Sequence, residues 1–216
     1  MEGKLSVNNA GNLECGFTKI IDTIILSLLW LLCSIPVFTI GAASSALYYA
    51  YHKAIRQDRG HACKTFFGAF KANFKQATGI WIVLLVFALL SVVTCYLLLG
   101  MLASSPIAGF LLTMGLVILC FTLAWCIYLF PYQARFENTM INVMKNSALI
   151  AVARMQWSLL LLVVFVAAVI VAWYKPAMCV PVVAVYIWLS NRILERIFRG
   201  IMSEEALQSE IEADKA

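Results

Sequence analysis

The chain has 216 residues, of which 63% are hydrophobic and 12% charged, with a formal net charge of +5. A soluble domain carries about 25% charge, so this composition excludes an ordinary soluble globular protein. The apolar runs are continuous rather than alternating, which selects spanning helices over a closed barrel. The expected fold is an all-α, polytopic transmembrane helical bundle forming a single integral membrane domain over residues 1–216.

The opening residues mix Lys4 and Lys19 with Glu2 and Glu14 and carry no orienting charge bias or cleavable-leader pattern. Phe17–Ile35 reads as the first helix, about 28 Å long and close to one hydrocarbon thickness. Asp22 sits in its first turn, where a carboxylate suits the helix dipole. Pro36 then disfavours helix at Ile35 and ends or kinks the segment. Thr39 is placed as an N-cap and Gly41 in the turn, with a second helix over Gly41–Gln57. Two readings stay open: a broken helical hairpin over 17–57, or a single span with a Pro-kinked first helix.

Residues 52–76 carry six lysines and arginines against Asp58. Within them, 64–76 reads as a cytoplasmic amphipathic helix. Phe66, Phe67, Phe70 and Phe74 share one face and Lys64, Lys71 and Lys75 the other. Such a helix lies in the interface of an anionic leaflet, or packs on the protein's own cytoplasmic face. A hairpin comes next over 79–130, with Gly79–Leu102 and Phe110–Phe130 joined by an uncharged connector. Trp81, Trp125, Tyr128 and Tyr132 near the span ends match an aromatic belt. A second basic cytoplasmic segment covers 135–156, and a third hairpin covers 157–191, its last span short, from Ala177 to Asn191. Residues 203–216 form an acidic tail.

The connectors at 100–108 and 174–180 hold one basic residue, Lys175, whereas the segments at 52–76, 131–156 and 189–202 hold twelve. The positive-inside rule places those segments and the C-terminus in the cytoplasm, in a multi-pass protein of the cell membrane. An amphipathic basic segment, a span, a bare turn and a return span recur twice. Extending that plan to the opening stretch gives six membrane helices in three hairpins; the alternative is five spans.

Catalytic signatures are missing from the sequence: there is no Ser/His/Asp pattern, phosphate-binding glycine loop or HExxH. His52, His61 and Cys63 are placed in one loop, where lysine and arginine would repel a cation. The seven cysteines form no CxxC pair and read as small hydrophobes. No enzyme activity, catalytic residue, metal, cofactor or nucleic-acid partner is expected. Carboxylates deep in the spans, as proton or sodium coupling needs, are missing between Trp81 and Phe130 and between Trp157 and Trp173.

Two sets of residues remain as candidates. Pro36, Thr39, Gly41, Ser44 and Ser45 form a turn beside a helix N-terminus, serving either as a ligand site or as a small-residue packing surface. Lys64, Phe66, Phe67, Phe70, Lys71, Phe74, Lys75, Arg135 and Glu137 form a cytoplasmic docking or lipid face. Arg192, Glu195 and Arg196 are read as fixing helix depth and orientation.

The run LLWLLCSIPVFTIGAASSALYY, the segment FFGAFKANFKQATGIW and the loop RFENTMINVMKNSALIA resemble the YesL-like family of bacterial integral membrane proteins. The resemblance supplies a domain of unknown function and no catalytic residues. It implies an accessory role in carbohydrate uptake or sensing, because family members tend to be encoded beside such systems. The expected partners are therefore the bilayer, with its anionic headgroups, and a membrane transporter or signalling protein. The competing expectation is a small-solute (sugar) facilitator or channel with its pore near Pro36.

Overall fold

The computed structural model describes residues 2–57, 61–101, 106–136 and 138–202, with side chains described from Thr18 onward except at Pro106. Every regular element among them is helical: α1 (Glu2–Cys33), α2 (Ile40–Ala50), α3 (Ala62–Met101), α4 (Pro106–Arg135), α5 (Met140–Ala153), α6 (Met155–Tyr174) and α7 (Cys179–Arg199). The acidic stretch 203–216 and Glu137 lie outside the described residues.

Four described helices are long and apolar enough to cross a membrane: α3, α4 from Ile107, α6, and α7 with the turn before it. In the most apolar windows of α3, α4 and α6 only 11% of residues are buried. In water that much apolar surface would be untenable; in hydrocarbon it needs no cover.

Pro36 breaks the first segment as its chemistry requires. α1 tightens at its end, with the Ser34 amide donating to Trp30 and Leu31 carbonyls. The Thr39 hydroxyl then donates back to the carbonyls of Cys33 and Pro36, both at 2.6 Å, filling acceptors that a helix end leaves open. Thr39 stands at the N-cap position of α2 but makes no capping bond; the hydroxyl closes the turn instead. The chain then doubles back, so that the Trp30 indole donates to Ser44 at 3.2 Å. A kinked but continuous helix would hold residues fourteen apart at about 21 Å.

This hairpin reaches only partway along α3. The Trp81 indole donates to the Val37 carbonyl at 2.7 Å, and Gly41 sits against Ala77, Trp81 and Phe130. The turn therefore docks halfway along α3, whose end at Met101 lies twenty residues and about 30 Å further on.

The amphipathic segment 64–76 is not a separate helix. It runs without interruption into the apolar stretch, giving one helix of 40 residues. No proline intervenes, and a single glycine at 79 costs only about 1 kcal/mol against alanine. The supposed basic loop is equally reduced: Tyr51–Arg56 is a π-helical turn continuing α2.

The buried core gathers at the basic end. It joins Tyr48 and Tyr51 of the first hairpin, Phe66, Ile80 and Leu84 of α3, Tyr128 and Leu129 of α4, Val143 and Ile150 of α5, Leu161 of α6, and Leu194 and Phe198 of α7. Beyond Leu84, Cys95 is the one buried residue of α3 among those described.

Candidate functional site

α2 is the enclosed element of the molecule. Gly41, Ala42, Ala43, Ser45, Ala46, Leu47, Tyr48 and Ala50 are all buried, because small residues let α3 and α4 close on the backbone. A Cβ on Gly41 would lie 2.7 Å from Trp81 Cβ and 2.9 Å from the Ala77 carbonyl oxygen. Of the turn residues singled out in the sequence, Pro36 is exposed, Thr39 closes the turn, Ser44 accepts from Trp30, and Ser45 is fully buried. They line a packed junction rather than an opening.

Where α2 meets α4 and α7, polar groups converge inside this core. Glu195 of α7 is completely buried. The Tyr48 hydroxyl donates to its Oε1 at 2.7 Å, His52 Nδ1 lies 3.3 Å from the same oxygen, and Arg135 Nη2 lies 3.3 Å from Oε2. Arg135 Nη1 is 2.9 Å from His52 Nε2. An arginine only donates, so Nε2 accepts, and the imidazole proton sits on Nδ1, facing Glu195. The carboxylate and the guanidinium balance each other, with tyrosine and neutral histidine completing the ring. The Tyr48 and His52 rings lie parallel, 6.5 Å between centroids, and Phe198 closes the outside with its edge contacts to Tyr48, Tyr132 and Phe136.

The π-helical turn makes this possible. Its defining bond runs from the Gln57 amide to the His52 carbonyl at 3.1 Å. One extra residue in the turn shifts the phase of the side chains after it. His52 faces the carboxylate while Arg56 reaches Asn191, donating to its Oδ1 at 3.1 Å and its carbonyl at 3.4 Å. π-Turns within helices are frequent at functional sites.

Several sequence expectations change here. His52 is buried in the helix interior and does not share a loop with His61 and Cys63, which are exposed at the start of α3. Glu195, read from the sequence as fixing helix depth and orientation, stands at the centre of the network. Arg135 belongs to that network. Among the proposed face residues, Lys64, Lys71 and Lys75 are exposed, Phe66 is fully buried, and Phe67 points outward at 51% exposure. Phe66 and Phe70 stack along α3 and Phe74 tilts against Phe70, with Phe66 in the protein's own core and Phe70 packed against it.

The network also brings the dispersed basic segments to one end. Arg135 joins 52 to 195, Arg56 joins 56 to 191, and the Gln76 side chain donates to the Asn138 carbonyl at 2.9 Å. Among the described residues, no three His, Cys, Asp or Glu side chains are grouped as a metal would require.

Residues 23–95 match a family model described as a protein of unknown function, DUF624. Over that stretch, about a third of the chain, the sequence is similar to the YesL-like family that this model describes. The DUF624 match runs from α1 through α2 and the π-turn to Cys95 of α3. It thus includes Tyr48, His52 and Arg56 but stops short of Arg135 and Glu195. No curated protein and no solved structure matches the chain.

Proposed function

We propose that this is a non-enzymatic, multi-pass accessory protein of the cell membrane that acts by contact through its basic, cytoplasmic end. One observation carries this reading: the packed core and the buried charge network are concentrated at that end. The apolar helices beyond it are left almost bare. A catalyst or a coupled pump concentrates ionisable groups around a space for substrate. Here Glu195, Arg135, His52 and Tyr48 are turned on one another and fix three helices as a platform. The exposed Lys64, Lys71 and Lys75 lie on that platform, away from the inward-packed Phe66, and suit anionic headgroups or an acidic partner surface.

In this reading the lysine- and arginine-rich end and the C-terminus are cytoplasmic. α3, α4, α6 and α7 cross the membrane, and the α1–α2 hairpin enters from the same side, giving six helices in three hairpins of unequal reach. The partner class is a carbohydrate uptake or sensing system, in line with the family resemblance. Tight packing at Gly41 and Ala42–Ala46 weighs against a facilitator pore at the Pro36 turn.

A reporter fused within α3 near Lys71 is expected to be active only when it is a cytoplasmic type. Activity of an exported-type reporter there would reverse the orientation. Crosslinking from cysteines introduced at 64, 71 and 75 is expected to capture a transport or signalling component. Repeated recovery of none, with α3 confirmed as cytoplasmic, would remove the contact role.

A further inference from the structure

A cleft of about 690 Å³ opens between α1, the π-turn and α7. Its walls are apolar: Ile24, Val185 and Trp188 are 40%, 61% and 44% exposed. Among the described residues, three cations line it, Lys19, Arg56 and Arg192, and no carboxylate does. Arg56 and Arg192 share one end, because Arg56 is tied to Asn191, the neighbour of Arg192. The Arg192 guanidinium stacks 4.4 Å from the Trp188 ring centroid, which holds its fork over the cleft. From Arg192 back to Val185 the apolar wall runs about 10 Å along α7.

We propose that this cleft is a binding site for one anionic phospholipid. Its phosphodiester sits between Arg56 and Arg192, with Lys19 nearby, and an acyl chain lies along Ile24, Val185 and Trp188. The charge pattern selects this occupant. Guanidinium forks match phosphate oxygens with paired hydrogen bonds, and an apolar slot beneath a cationic mouth at a helix-bundle edge fits a lipid rather than a free polar solute. A zwitterionic lipid would bring its own cation to a mouth that is already positive. The site does not depend on which partner the protein contacts, nor on which side of the membrane the basic end faces.

The test uses the full chain, purified in neutral detergent and delipidated. It is examined by native mass spectrometry and thermal unfolding with added phosphatidylglycerol, phosphatidylcholine, glycerol phosphate or inorganic phosphate. One phosphatidylglycerol is expected to stay bound and raise the unfolding temperature, with phosphatidylcholine retained far less. Arg192→Gln and Lys19→Gln are each expected to weaken retention about 5-fold. Val185→Trp, which fills the slot without touching a charge, is expected to abolish it, whereas Lys175→Gln, an exposed cation in the turn between α6 and α7, leaves it unchanged. Equal retention of both lipids, or wild-type retention by both Val185→Trp and Arg192→Gln, would overturn the proposal. Equal stabilisation by inorganic phosphate or glycerol phosphate would reassign the site to a free anion and overturn the lipid assignment.

Discussion

The two halves of α3 behave as different materials. From Ala62 to Leu84 the helix is clasped by α2 and α4, and Phe66, Ala77 and Ile80 are inaccessible. From Val86 to Met101 the same helix exposes Val86, Leu89, Leu90, Tyr96, Leu97 and Leu99, each about half or more exposed. Lysines appear only in the clasped half. The difference shows that hydrophobicity places the second half in lipid, while shape and polar pairing organise the first. The protein's specific structure is built at the basic end, and its most apolar surface is its least structured by contacts.

The sharpest way to break the comparison is at Glu195. Glu195→Ala leaves Arg135 buried without its carboxylate and strands the Tyr48 hydroxyl. Breaking a buried pair in this way costs about 3–5 kcal/mol, so thermal unfolding in nanodiscs is expected to show a large loss or poor folding. A double change, Glu195→Leu with Arg135→Leu, is expected to recover most of that loss, because no lone charge remains. Failure of the double variant to recover would mean that the pair does more than lock the helices.

Adjacent phenylalanines offer the next contrast. Phe66→Ala empties a fully buried site and is expected to cost about 3–5 kcal/mol. Phe67→Ala, on the outward side, is expected to change stability by about 0.5 kcal/mol or less. Equal effects would mean that α3 is rotated about its axis from this orientation. Glycines give an opposed pair. Gly41→Ala forces a Cβ against Trp81 and the Ala77 carbonyl and is expected to cost about 1–3 kcal/mol. Gly100→Ala meets nothing within 4 Å and is expected to stabilise by up to about 1 kcal/mol through helix propensity.

Much of this architecture was legible in the chain itself. Continuous apolar runs gave the helical class, and Pro36 with its small-residue restart marked a break while leaving open whether the chain turned back there. The features that stayed hidden did so for physical reasons. A hairpin's sequence does not say at which height it docks, so the contact of Val37 with Trp81 was invisible. The π-turn has no periodicity of its own, and without it His52 reads as part of a basic loop. Glu195 did leave a signal: with Ile187, Asn191, Leu194 and Phe198 it keeps the three- and four-residue spacing of the buried stripe of α7. A carboxylate in phase with an apolar face must find donors, and Tyr48 and Arg135 are those donors. Its place near the end of a basic helix instead suggested an anchor at the surface.

The smallest expected effects lie in the bare half, and they are the most informative about partners. Leu97, Val117 and Val163 are 61%, 62% and 66% exposed, so Leu97→Ala, Val117→Ala and Val163→Ala should each change stability in lipid by about 0.5 kcal/mol or less. Lipid chains refill the space that a shortened side chain leaves, so no cavity is created. A protein neighbour could not refill it: a packed interface would respond as a core does, with losses of about 2–5 kcal/mol for Leu→Ala and a fall in the apparent mass of the solubilised particle. Measuring these three substitutions therefore decides where contact occurs. Small effects leave the basic end as the working surface, whereas large ones would move the partner, or a second copy of the chain, into the membrane against α3, α4 and α6.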